Sequence, residues 1–258
     1  MTHGHSLPHR LERAVFIHAQ PEGVFRFFTD SERWASWWGT GSTIDAKPGG
    51  RLVIRFPEGT EVAGHVIEVV APQQIVFTYG FVSGSPIPPD GSLVTIRLAE
   101  QGGGTLLHLA HDFADPTTRD EFQQGWRYQL SLFANVVSNE LHANASEAVD
   151  GWFAVWSEAD TGRREEILDR LVTTNIRVRD RFSSIDSMSD LRAHLAALHR
   201  FMPGVRIQRD GVVRHCQGTV LADWVARMAD GSERGRGTNV FVFNAARQIE
   251  AVTGFWNA

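Results

Sequence analysis

The stretch Thr117–His142, TTRDEFQQGWRYQLSLFANVVSNELH, decides how the first half of the chain folds. Phe122, Trp126, Leu130, Phe133, Val137 and Leu141 recur at steps of three and four, so they fall on one side of a 3.6-residue spiral. Pro116 suits the first turn of a helix, Asp115 and Thr117 are candidate caps, and Gly125 is the one glycine inside. A stripe this long and this aromatic needs a broad apolar partner, and a sheet supplies one. Core packing accounts for the stripe by itself. Bulky rings over a curved sheet can also leave a cavity beneath them, with the helix as its lid.

Outward toward the N-terminus, Ala14–His18 reads as an opening strand, Pro21 starts a short helix with Val24, Phe25 and Phe28 inward, and a second helical piece carries Trp34, Trp37 and Trp38. The hydrophobic period then drops to two. Leu52, Ile54 and Phe56 alternate with polar or smaller neighbours, and strands follow at Thr60–Val70, Gln74–Phe81, Leu93–Glu100 and Thr105–Phe113. Turns at Gly49-Gly50 and Glu58-Gly59, the loop SGSPIPPDG and the run Gly102-Gly103-Gly104 separate them. Strands linked this closely form an antiparallel meander, which the helix then covers. Phe77 and Tyr79, together with His111, Trp38 and Trp126, are the candidates for lining a cavity there. His111 is the polar member, and satisfaction by backbone or water is its plainer role. The residues supply no carboxylate pair or nucleophile–base pair in this half, so binding is expected over catalysis.

The ordered set Pro21, Trp37-Trp38, Pro48-Gly49-Gly50, Gly64, Pro72, Gly104-Thr105 and Gly125-Trp126 resembles the activator of heat-shock-protein-90 ATPase homologue family, within the START-like (SRPBCC) superfamily. The likeness covers about residues 11–142. It implies a curved antiparallel sheet gripping the long helix, with an apolar tunnel between them. A co-chaperone's domain does not make every relative a chaperone partner, so a chaperone-associated interaction module stands as a further alternative function.

His142 to Ser146 is small and polar, and the domain boundary is expected there: residues 1–10 a flexible start, 11–143 the first domain, 146–258 the second. Ser146 is the expected cap of a helix carrying Trp152, Phe153 and Trp156, and a second helix covers Arg163–Leu171. A strand follows at Asn175–Arg179, and Ser187-x-x-Asp190 has capping-box spacing ahead of a helix with Leu191, Leu195 and Leu198 buried. Four strands complete the chain, at Val205–Arg209, Val213–Arg227, Glu233–Phe243 and Gln248–Trp256, with hairpin turns at Asp210-Gly211 and Asp230-Gly231. Helices followed by a bent antiparallel sheet make an α+β cone, so the whole chain reads as α+β.

This layout, with Trp152, Trp156, Asp180, Met202-Pro203-Gly204, Gly218, Trp224, Gly237 and the ending Val252-Thr253-Gly254-Phe255-Trp256, resembles the nuclear-transport-factor-2-like superfamily in its SnoaL-like branch. That likeness implies a cone-shaped cavity and, in some members, cyclisation or isomerisation by a carboxylate whose pKa is raised in an apolar pocket. Asp180 is the candidate base, with Trp152, His199, Trp224 and Asn239 as candidate ligand contacts. The acid of the SnoaL-like cyclases falls on Asn239, and an amide cannot abstract a proton. Asp223 is better read as an outward partner of an arginine. His194 and His199 stand five apart on different helix faces, unsuited to chelating a metal together.

Formal charge is −5 with no run of Lys or Arg, which excludes a general nucleic-acid surface. Cys216 is the only cysteine, so no internal disulfide and no cysteine-based zinc site is possible, and a reducing compartment fits. His3, His5 and His9 on the start are not expected to form a real metal site. No apolar run has the length of a membrane span, and MTHGHSLPHR lacks a signal peptide's apolar middle. The expectation is a cytoplasmic protein with no cofactor or metal, a homodimer by resemblance, that binds a small apolar or aromatic ligand. An enzyme of the cyclase, isomerase or hydratase kind is the alternative.

Overall fold

The computed structural model describes residues 6–257, so the expectations placed on His3, His5 and the rest of residues 1–5 lie outside the described residues. The chain divides into two compact units, Met1–Ser138 and Asn139–Ala258. The fold is α+β in both.

In the first unit β1 (His9–Ile17) is followed by α1 (Pro21–Phe25), a single 3-10 turn and α2 (Ser31–Trp38). Then come β2 (Thr43–Ile44), β3 (Arg51–Arg55), β4 (Glu61–Val70), β5 (Gln74–Phe81), β6 (Ser92–Gln101) and β7 (Gly104–Phe113). The sheet order is β1-β7-β6-β5-β4-β3-β2, antiparallel throughout, a meander whose last strand receives the first. β1 begins five residues earlier than its apolar alternation suggests, taking in His9 and Arg10 from the expected flexible start. Leu11 is buried there, and the Arg10 guanidinium grips Asp112 across the ladder at 2.7 and 2.9 Å. α3 (Pro116–Leu141) crosses the concave face. Asp115 caps it, accepting from the Thr118 amide at 2.9 Å, and Trp126, Leu130, Phe133 and Val137 are buried on the side turned to the sheet.

The second unit opens with α4 (Ala145–Ser157), α5 (Thr161–Leu171), β8 (Val172–Arg179), β9 (Ser184–Ile185) and α6 (Met188–Phe201). Ser146 does not cap α4, which starts one residue before it with Asn144 at the cap position. Ser187 does cap α6, accepting from the Asp190 amide at 3.1 Å. The remaining strands are β10 (Arg206–Arg209), β11 (Arg214–Cys216), β12 (Thr219–Arg227), β13 (Glu233–Phe243) and β14 (Ile249–Trp256). The single strand expected over Val213–Arg227 is a hairpin, because Gln217 and Gly218 both adopt positive φ and fold β11 back onto β12. The sheet order is β10-β12-β13-β14-β8-β9. It is not wholly antiparallel: β14 lies parallel to β8, a pairing that needs the long crossover supplied by α6 and β10 to β13. Register shifts at Ala226/Arg227 and Val242/Phe243 mark bulges that bend the sheet into a cone.

Phe133 is fully buried and meets Phe27, Phe28 and Trp37 at ring separations of 6.0, 4.9 and 4.7 Å, at the centre of the first core. Phe133→Ala is expected to destabilise the first unit by about 3–5 kcal/mol. Chemical denaturation followed by tryptophan emission measures it, and a loss under about 1 kcal/mol would mean the core is loose enough to refill the gap.

Candidate functional site

The five first-unit residues expected to line a cavity are instead packed against other aromatic rings, four of them against one another. Trp38 meets Trp126 at 5.7 Å, Tyr79 meets His111 at 5.2 Å, and Phe77 meets Trp34 at 5.8 Å. Phe77 and His111 are 0% exposed, Trp126 and Tyr79 3% and Trp38 5%. These rings are therefore buried beneath α3, with almost none of their surface left open to a molecule the size of water. The reason is volume: the 3-10 turn after α1 and α2 bring Phe27, Phe28, Trp34, Trp37 and Trp38 into the same core as α3.

His111 sits inside this core as a fully satisfied polar group. The Trp126 indole donates to Nδ1 at 3.0 Å, which fixes the neutral tautomer with hydrogen on Nε2. Nε2 then donates to Ser92 Oγ at 2.8 Å, and Ser92 Oγ donates to the Tyr79 carbonyl at 2.8 Å. Burial depresses the imidazole pKa to about 3 and raises that of the Tyr79 phenol.

The second unit is hollow. A cavity of about 610 Å³ lies between the concave sheet face and helices α4 and α6. From the helices it takes Trp152, Phe153 and Trp156, and Ala197, Leu198 and Phe201; from the sheet, Val178, Ala226 and Val252. Of the residues singled out from sequence, Asp180, Trp152, Trp224 and Asn239 come together at this one cavity. His199 is not among its walls. It packs on the side of α6 facing the Val155 carbonyl, and burial first, then nearby Arg164, lowers its pKa. Asp223 lies on the outward face, 3.1 Å from the Arg214 guanidinium.

Glycines set the polar wall. Trp224 on β12 stands opposite Gly237 on β13, where a Cβ would lie 2.8 Å from the indole and 2.1 Å from the Phe255 carbonyl. The bare backbone lets the indole lie flat across β13 and donate from Nε1 to Asn239 Oδ1 at 2.9 Å. Gly254, opposite Asn239 on β14, acts similarly: a Cβ there would sit 3.0 Å from Asn239 Oδ1 and 3.1 Å from Asp180 Cβ. Asp180 ends β8 in a tight turn, its Oδ1 accepting from the Phe182 amide at 2.7 Å and its amide donating to the Ser183 carbonyl at 3.0 Å.

That turn carries Phe182 out to the mouth, where its ring meets Trp256 at 5.1 Å, and Trp256 in turn meets Trp224 at 4.9 Å. Phe182, Phe201 and Trp256 are all exposed, and with Arg234 they form the rim. His194 lines the interior, 3.3 Å from Ser183 Oγ and edge-on to Trp156. Sequence reasoning missed these positions. His194 was within reach, since it lies three residues after Leu191 and four before Leu198 on the buried stripe of α6. Phe182, Phe201 and Trp256 fall at or beyond element ends, where periodicity carries no signal.

Residues 18–138, a little under half of the chain, match the family described as Activator of Hsp90 ATPase homolog 1-like protein. No curated protein matches the chain. Among solved structures, similar ones include a putative isomerase of the SnoaL-like family from Agrobacterium tumefaciens, 23% identical, covering 46% of this chain and 99% of its own at a TM-score of 0.42. CalU16 from Micromonospora echinospora is 23% identical over 54% of this chain and 82% of its own, TM-score 0.42. The Aha1 dimer from Colwellia psychrerythraea is 16% identical over 47% and 90%, TM-score 0.42. The first half thus resembles the Activator of Hsp90 ATPase homolog 1-like family. Among the described residues no helix is long and apolar enough to cross a membrane.

The buried His111 makes the first unit acid-sensitive. Its native pKa lies below the unfolded 6.5, so below about pH 6.5 the unfolded chain takes up a proton that the native one refuses. The contribution is whole above pH 6.5 and is lost progressively down to about pH 3, on the order of several kcal/mol. His111→Phe is expected to be less stable at neutral pH, with a shallower loss on acidification than the wild type. Denaturation midpoints of both proteins between about pH 7 and about pH 4 measure the difference in slope; parallel curves would refute the assignment.

Proposed function

We propose that this protein holds a small, largely apolar molecule in the cavity of its second unit, and that the first unit is a solid scaffold. The observation that carries this is the contrast between two sheets covered by helices, one interior filled with rings and the other keeping about 610 Å³ open. That volume suits a ligand of two or three fused rings, within the roughly 300–1,000 Å³ common for such sites. The walls are aromatic and aliphatic, and the polar groups are few and gathered on one side. Exposed rings at the rim lower the cost of bringing an apolar molecule out of water, since part of its surface is covered before it is fully inside.

Acid–base catalysis by Asp180 is the second reading, favoured by its place across Gly254 from Asn239. A base that takes a proton from carbon works best where it is stripped of water. Asp180 is only half-buried, and one of its oxygens is already engaged by the Phe182 amide. On those grounds the carboxylate serves as a polar contact at the rim and as the keystone of the turn that places Phe182.

Ala197 is exposed on α6 and borders the cavity, so Ala197→Trp fills the space without crowding the core. With a neutral naphthalene dye whose emission rises on leaving water, the wild type is expected to show saturable uptake, and the variant at least a tenfold weaker one at about the same melting temperature. Equal uptake by the two proteins would remove the cavity as the binding site.

A further inference from the structure

Asn239 carries a hydrogen-bonding capacity that the protein does not use. An indole N–H can only donate, so the atom of Asn239 that faces Trp224 Nε1 at 2.9 Å is the carbonyl oxygen, and the amide cannot turn over without breaking that bond. Nδ2 is thereby directed away from Trp224. It has no hydrogen-bond partner among the described residues, and it opens on the cavity rather than lying sealed in the core. Its neighbours across the ladder on either side are Ala222 and Gly254, neither of which has a side chain long enough to cover it.

A largely buried donor without a partner is unfavourable, and an apolar guest pressed against it would strip the last water from it. The guest that avoids this loss brings an acceptor of its own. We infer that Asn239 is the specificity-determining residue of the cavity, selecting a neutral ring compound that presents a carbonyl oxygen to Nδ2. Trp224 is the positioning residue that keeps Nδ2, and not Oδ1, turned inward.

This inference rests on the cavity being a binding site, and a matched pair of probes separates the two. 2-Acetylnaphthalene and 2-ethylnaphthalene have nearly the same shape and differ by a carbonyl oxygen. Their affinities are measured by quenching of tryptophan emission in the full-length wild type, in Asn239→Leu and in Asn239→Asp. Dividing the ketone-to-hydrocarbon preference of the wild type by that of a variant cancels the probes' different solubility in water. The quotient is expected to be about tenfold or more for both variants, with hydrocarbon binding retained. Asn239→Asp is the safeguard against a folding defect, since its carboxylate still accepts from Trp224 while offering the cavity no amide hydrogen. A quotient near one, with both probes bound, overturns the role of Asn239 and leaves the cavity reading intact. Failure of the wild type to bind either probe overturns both.

Discussion

How much side-chain volume the helices deliver onto the concave face of a curved sheet decides whether the space between them is solid or open. Interiors pack to the density of organic crystals, so a shortfall of a few rings is not absorbed by relaxation and survives as a void. In the first unit three tryptophans on α2 and two phenylalanines just before it join the α3 stripe, and the space is full. In the second, Trp152, Phe153 and Trp156 on α4 cover one side of the cone, while α6 brings His194, Ala197 and Leu198 to the other and turns its last ring, Phe201, out to the rim. The register shifts in β12 to β14 add local twist to this sheet, and about 610 Å³ stays open beneath it.

Both units also solve a polar problem in the same manner, and the difference in how the solution ends is instructive. In each, an indole N–H donates to an acceptor on a neighbouring element: Trp126 to His111 Nδ1, and Trp224 to Asn239 Oδ1. In the first unit the chain of bonds continues through Ser92 to the Tyr79 carbonyl, where every donor has an acceptor. Such a closed network rigidifies a core and asks nothing of a ligand. In the second it stops at an amide whose remaining donor faces open space. The network around His111 is thus closed, and the one around Asn239 is open on the cavity side.

Much of the architecture was legible in sequence because it follows from period and punctuation. The stripe from Trp126 to Val137, the alternation in β3 to β7 and the cap at Ser187 are each local signals with a local cause. The candidate site was legible only in part. Trp152, Asp180, Trp224 and Asn239 reach one cavity, whereas Trp38, Phe77, Tyr79, His111 and Trp126 share a face without leaving room between them. Periodicity says which way a ring points; it does not say whether the opposing surface supplies enough atoms to meet it. His199 and His194 show the same limit on a smaller scale, since five residues of helix separate a side chain against the Val155 carbonyl from one inside the cavity. The parallel pairing of β14 with β8 and the hairpin at Gln217-Gly218 escaped for a different reason: long-range partners and positive φ at a glutamine leave little trace in local pattern.

The amide at position 239 also bears on what the second half does. An amide at position 239 cannot take a proton as a carboxylate of the same shape could. What it adds is a donor, and Trp224 holds that donor in the one orientation a carbonyl can use. A carboxylate here would sit with one oxygen bonded to Trp224 and the other toward the guest, set to take a proton; the amide in the same pose holds an oxygen and takes nothing. Gly237 and Gly254 preserve the close approach that either chemistry requires, so the same backbone can frame a carboxylate or an amide at this wall. Recognition and proton transfer at such a wall thus differ by one functional group on an otherwise unaltered surface.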